Sequence, residues 1–160
     1  MKQIFREILN NKEAAALPGL LESGRLPALV SGLSAVHRAN LAAALYEKLD
    51  RPMLVISADD TAAESFAKDL NSMLDTTAEV LGMKEFVFRH VEAASRRGEQ
   101  ERIAGLYAFG SGKSRILTAS VTGLLQRTIP AEKLLSAAFE IDSGSQIAPE
   151  DLEDALVRCG

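Results

Sequence analysis

Apolar residues fall along this chain in two alternating rhythms, short continuous runs and longer stretches with helical spacing. Ile4, Phe5, Ile8 and Leu9 share one face of a helix predicted over Met1–Leu9. A second short helix over Lys12–Leu21 is interrupted at Pro18-Gly19, because proline lacks the backbone donor and clashes with the preceding turn. Ser23-Gly24-Arg25 is a turn. Ala28–Val30 reads as a short strand, which passes through a Gly/Ser turn into a helix over Val36–Leu49. The unbroken run Met53–Ser57 after Pro52 suits a strand buried on both faces. Asp59 or Asp60 caps a helix over Thr61–Leu74, whose apolar stripe is Ala63, Phe66, Ala67, Leu70, Met73 and Leu74.

Farther on, Ala78–Leu81 is a short strand and Gly82–Ala94 an irregular connection. Ser95–Phe109 is a helix with Ile103, Leu106 and Tyr107 facing inward. Arg115–Ala119 is a strand, Val121–Arg127 a helix with Pro130 beyond it, and Leu135–Ile141 a further strand. Pro149 opens a last helix that runs to Val157. Strands alternating with helices predict an α/β fold with a mostly parallel sheet covered on both faces. No repeat or low-complexity tract interrupts the pattern.

Composition narrows the chemistry. The chain has 160 residues, 47% apolar and 25% charged, which suits one globular domain without disulfide staples. Its single cysteine, Cys159, permits no internal disulfide and fits a reducing cytoplasm. His37 and His90 are the only histidines, too few to build a zinc site. A net charge of −4 supplies no global attraction to nucleic acid. No apolar run approaches the ~18 residues of a membrane span, and no signal peptide precedes the first helix. The chain stops at Arg158-Cys159-Gly160 directly after a helical pattern, as a piece of a larger protein would.

The most informative stretch runs from Leu29 to Asn40. A strand, a glycine turn and a helix N-terminus in that order are the layout of a phosphate-binding loop, whose backbone N–H groups face an anion. Laying G-x-x-x-x-G-K-[ST] from Gly32 puts His37 at the second glycine, Arg38 at the lysine and Ala39 at the hydroxyl residue. His37 carries a Cβ where the backbone must turn tightly against phosphate. Ala39 has no oxygen for Mg²⁺. Gly32 and Ser34 keep the turn while the chemistry is gone, so these positions are not expected to bind ATP.

Gly112-Lys113-Ser114 also spells G-K-S, but here a helix precedes the turn and a strand follows. Tyr107 stands where the first glycine belongs, and a glycine-rich helix C-cap explains the stretch without a ligand. His37 and Arg38 could bind an anion at a helix N-terminus or simply face solvent. Asp59-Asp60 could hold a metal, although N-capping is simpler. Lys84, Arg89, His90, Arg96, Arg97 and Arg102, with Phe86 and Phe88 between them, form a basic stretch suited to nucleic acid or a protein partner. Glu85, Glu92, Glu99 and Glu101 dilute its charge, as on a solvated surface. Arg89, Arg96 and Arg97 are its candidate contact residues. No catalytic triad or metal set is legible.

Several motifs in order resemble the N-terminus of bacterial transcription-repair coupling factors (the Mfd family). They are Leu29–Ser34 with its helix, Arg51–Ser57, the helix carrying Arg102 and Leu106 before a glycine turn, Arg115–Pro130, and Ile147–Leu152. Arg115–Pro130 is the most specific, matching a strand of the type I-[LV]-V-A and a helix ending in L-[LM]-x-R-x-x-P. The resemblance covers the chain from about Leu9 onward. It implies a three-layer RecA-like, P-loop NTPase-type domain related to the excinuclease protein UvrB, with a degenerate nucleotide loop. It divides the chain into that domain at 1–134, opened by N-terminal helices over 1–24, and the start of an inserted small domain at 135–160. Gly82–Ala94 is too short for the aromatic DNA-clamping hairpin of UvrB and holds no tyrosine.

The resemblance implies a non-catalytic interaction module without catalytic residues, metal or cofactor of its own. ATP and Mg²⁺ would belong to a motor downstream in the parent, which displaces stalled RNA polymerase on DNA. The excinuclease protein UvrA is the implied partner, with its main contacts beyond Gly160, and the implied location is cytoplasmic with no membrane contact. Two other readings remain: a divergent P-loop hydrolase using Arg38 in place of lysine, and a UvrB-like DNA-binding module.

Overall fold

A computed structural model describes residues 2–24, 26–84, 97–139, 141–144 and 146–159. The chain divides into two compact units, Met1–Gln126 and Arg127–Gly160. In the first, helices α1 (Lys2–Asn10), α2 (Leu17–Glu22) and α3 (Ala35–Leu49) precede strand β1 (Met53–Ser57). Helix α4 (Asp60–Met73), strand β2 (Ala78–Leu81), helix α5 (Arg97–Gly110), strand β3 (Ile116–Ser120) and helix α6 (Val121–Leu125) follow.

The three strands form a parallel sheet in the order β1-β3-β2, with Met53 and Ala78 both in register with Ile116. Helices cover both faces, giving a three-layer α/β architecture consistent with a RecA-like domain. On one face Ala43 and Ala44 of α3, Ala67 and Leu70 of α4, Phe5 of α1 and Ile116 of β3 share a core. The small residues let α3 and α4 approach closely, and the predicted α4 stripe faces this core. On the other face Leu81, Leu117 and Ala119 pack against Leu106 and Phe109 of α5 and Leu124.

Local chemistry sets the element ends. Asp59 is the N-cap of α4, its Oδ1 accepting the Ala62 N–H at 2.8 Å. Asp50 closes α3 at φ +48°, and its carboxylate accepts from Arg115 at the entrance to β3. The free edge of β2 is partly satisfied by Asn71, whose amide both accepts from and donates to the Ala78 backbone at 2.6 and 3.2 Å.

Five expectations need correction. Ala28–Val30 is not a strand: the segment is irregular and Leu29 is 93% exposed. A strand needs a ladder partner, and none of the described strands pairs with it. The described residues of Leu135–Ile141 are not a strand either, because helix α7 (Ala131–Ala137), with Pro130 as its N-cap, takes the first half. The sequence AEKLLSA is made mostly of strong helix formers, and Leu134 N–H bonds back to Pro130 O at 3.0 Å. The first half of the helix expected over Lys12–Leu21 is a series of turns, and Pro18 sits at the permitted start of α2 instead of interrupting it. Ile103 does not face inward but is 51% exposed. Arg102, Gly105, Leu106 and Phe109 form the inner stripe instead, with Gly105 letting α5 lie against Val80 O of β2.

The last correction concerns β1, which is an edge strand and not buried on both faces. Leu54 and Ile56, on the α5 side, are 49% and 57% exposed, because α5 and α6 cover only the β2–β3 part of the sheet. An uncharged edge beside exposed aliphatic side chains invites pairing with another chain. The isolated chain is therefore expected to self-associate at roughly 100 µM, a range where open strand edges aggregate, and Leu54→Lys with Ile56→Lys should suppress this. Analytical ultracentrifugation checks it; a strictly monomeric unsubstituted chain would count against the open edge.

The second unit holds α7 and helix α8 (Pro149–Cys159). Between them Gly144 N–H donates to Asp142 Oδ1 at 2.8 Å in a side-chain-closed turn. Among the described residues of both units, no helix is long and apolar enough to cross a membrane.

Candidate functional site

The loop before α3 keeps part of the geometry that its sequence announced. Gly32 turns at φ +79°, a conformation that disfavours side chains. Ser34 is the N-cap of α3: its side-chain oxygen accepts His37 N–H at 3.4 Å and its carbonyl accepts Arg38 N–H at 3.0 Å. Of the N-terminal N–H groups that no intrahelical bond satisfies, that of His37 thus already has a protein partner, while the Arg38 bond is the first rung of the helix itself. His37 and Arg38 are exposed, whereas Ala39 is 0% exposed and packs inward. A hydroxyl at position 39 would be buried in the helix packing, away from solvent. An open groove of about 1170 Å³ runs beside the loop, lined by Ile4, Ile8, Leu17, Leu29, Leu33 and His37 among others.

The G-K-S stretch is a helix terminus. Gly112 turns at φ +78°, its N–H bonds to Phe109 O at 3.2 Å, and Ser111 N–H bonds to Tyr107 O at 2.8 Å. Ser114 is buried, its hydroxyl 2.7 Å from Thr77 O and 3.0 Å from Ile116 O. Lys113 lies with Nζ 5.2 Å from the Tyr107 ring centroid, within cation–π range. Ser114 thus ties the entrance of β3 to the residue before β2.

The basic stretch separates into unlike parts. Arg89, His90, Arg96, Phe86 and Phe88 lie outside the described residues. Lys84 Nζ is 3.7 Å from Glu99, and exposed Arg97 holds Glu101 at 2.7 Å from its Nε. The hydrogen bond and the charge of Glu101 raise the Arg97 pKa. Arg102 is not part of any charged surface, being 3% exposed. Its Nη1 donates to Gly82 O at 2.6 Å and its Nη2 to Gly123 O at 3.0 Å. Burial lowers the Arg102 pKa, while the charge of Asp60 opposes that shift.

Asp60 is more than an alternative cap. Its Oδ2 accepts Met83 N–H at 3.1 Å, while its Oδ1 is buried without a hydrogen-bond partner among the described residues. Among those residues no three His, Cys, Asp or Glu gather as a metal set. Sequence reasoning also missed Gln126, whose amide grips the Lys84 backbone in both directions, at 2.7 and 3.0 Å. The helical stripe of α5 was the one available signal for Arg102, since it falls three residues before Gly105 and four before Leu106. Nothing local marks Gln126.

A parallel sheet in the order β1-β3-β2 between helical layers, with a glycine turn ahead of α3, defines a three-layer α/β domain consistent with a RecA-like fold. The chain is similar to the transcription-repair-coupling factor of Bacillus subtilis (strain 168), at 26% identity over 157 residues. The match takes in 98% of this chain but 13% of that relative, so the chain spans about an eighth of its length. No protein-family model matches the chain. No solved structure matches it.

Proposed function

We propose that this chain is the N-terminal, non-catalytic interaction module of a transcription-repair coupling factor. The observation that carries the reading is the similarity over 98% of the chain to such a factor. The loop before α3 supports the non-catalytic part, because Ser34 occupies the helix end and Ala39 offers no oxygen in a buried position. The whole protein would be an ATP-dependent translocase that displaces stalled RNA polymerase from DNA and brings in excision-repair proteins. Its ATP and Mg²⁺ would bind in a motor elsewhere in the longer chain. The excinuclease protein UvrA would be the partner of this end, through contacts mainly beyond Gly160.

The sheet supports a place within a larger domain. Helices α3 and α4 pack into the same core and so lie on the same face. Parallel crossovers are right-handed, so a strand before α3 belongs on the free side of β1. Beside that edge Leu54 and Ile56 are uncovered on the face that carries α5. Strands added there, with a helix laid over that face, would bury both.

Two measurements test the reading. Titration calorimetry with Mg²⁺-ATP is expected to give no binding; micromolar affinity with hydrolysis by the unsubstituted chain would overturn the non-catalytic reading. In a pull-down with UvrA, a chain extended by ~60 residues, about a small domain's length, is expected to be captured far better than residues 1–160. Equal capture would place the contact within this chain instead.

A further inference from the structure

Gly82, Met83 and Lys84 leave the end of β2 without belonging to a helix or a ladder, and each is held by a side chain from a different element. Arg102 of α5 donates to Gly82 O at 2.6 Å. Asp60 of α4 accepts Met83 N–H at 3.1 Å. Gln126, directly after α6, accepts Lys84 N–H at 2.7 Å and donates to Lys84 O at 3.0 Å. Arg102 also reaches Gly123 O inside α6 at 3.0 Å, so one guanidinium joins the segment to α6. Lys84 Nζ, 3.7 Å from Glu99, ties the same segment to the first turn of α5.

Met83 and Lys84 are exposed, so water could satisfy their backbone groups. What three converging side chains add is a fixed direction. We infer that Asp60, Arg102 and Gln126 act together as one clamp, which fixes where the chain leaves the sheet between β2 and α5 and locks α6 to that point. The reason for joint action is geometric. Arg102 spans Gly82 and Gly123, and Gln126 lies at the other end of α6 from Ser120, so displacing either partner of α6 also moves the other. Asp60 completes the set by holding the residue between the two grips. The clamp is a conformational device: with it closed, the start of α5 and the end of β2 are held as a pair independently of the strand ladder.

Amide hydrogen exchange on the full 160-residue chain tests this, using Gln126→Ala and Asp60→Ala, neither of which removes a buried apolar side chain. If the clamp is one unit, Gln126→Ala speeds exchange at Lys84 about tenfold, the loss of a hydrogen bond's worth of protection. Met83 should follow to a similar extent although its own partner is intact, while the amides of β3 stay as they were. Asp60→Ala should likewise expose Lys84, and trypsin should cut after Lys84 faster in both variants. Gln126→Glu, which keeps the acceptor for Lys84 N–H, should restore part of the protection. If each substitution speeds exchange only at its own partner, the three contacts are independent caps and the inference fails. It fails equally if Met83 and Lys84 exchange without protection in the unsubstituted chain.

Discussion

Replacing Arg102 by methionine is expected to lower the stability of the first unit by about 2–4 kcal/mol, the cost of leaving buried partners of a charged group unpaired. Methionine keeps the unbranched apolar stem but not the planar guanidinium, so a small void adds to the loss. The main loss comes from two carbonyls: Gly123 O, at a buried residue, and Gly82 O, half-buried at the end of β2. Asp60 also loses the nearby positive charge that accompanies its buried Oδ1. Arg102→Lys should fall between, since an ammonium can reach one of the two acceptors but not both in the guanidinium's fixed fork. Urea denaturation followed by circular dichroism reads the difference. A loss under ~0.5 kcal/mol, the range of ordinary surface changes, would show that water replaces the guanidinium without penalty.

A second large effect is expected at Gly123. A Cβ placed there would lie 2.8 Å from Leu81 O and 3.2 Å from Ser120 Oγ. Alanine normally favours a helix over glycine by up to ~1 kcal/mol, so propensity alone predicts a gain. Here the opposing atom is backbone of β2, which cannot rotate away. The whole of α6 must shift from the sheet, which strains the Ser120 cap on Gly123 N–H and the Arg102 bond to Gly123 O. Overpacking of this kind costs about 1–3 kcal/mol, so Gly123→Ala should be destabilising despite the better helix former. Gly105→Ala is the graded comparison: its Cβ would meet Val80 O at 3.1 Å, and α5 can move slightly to accept it. Thermal unfolding of the two variants side by side checks the order. A Gly123→Ala variant at least as stable as the parent would mean that α6 is not seated as described.

Much of the local architecture was legible because short-range patterns carry it. The run Met53–Ser57, the stripe from Ala63 to Leu74 and the run Ala78–Leu81 each name their own element, and the pair Asp59-Asp60 announces the start of α4, with the structure choosing Asp59 as the cap. The G-K-S stretch was also readable as a helix end, since the order of helix, turn and strand is itself in the sequence. Candidate-site residues were harder. Ser34 and Gly32 take the turn expected of them, yet the placement of Ala39 against the core is a matter of which side of α3 meets its neighbours. Arg102, counted with the surface cations because of its charge, is buried because Gly105 and Gly123 seat α5 and α6 each closely against β2, where one guanidinium reaches both Gly82 O and Gly123 O.

The pattern of apolar residues by itself determined that this is an α/β chain of alternating strands and helices, and residue identity determined that the pattern G-x-x-x-x-G-K-[ST] laid from Gly32 finds no second glycine, no lysine and no hydroxyl. These are properties of identity and spacing, and no partner is needed to establish them. Only the tertiary structure decided which apolar runs gained a ladder and which did not. Met53–Ser57 found one neighbour and left an aliphatic side uncovered, and Ala28–Val30 found none among the described strands. Residues 131–137 followed their own helical preference in the absence of a ladder. A strand is completed by atoms distant in sequence, whereas a helix closes its hydrogen bonds within itself, and that difference separates what could be read along the chain from what could not.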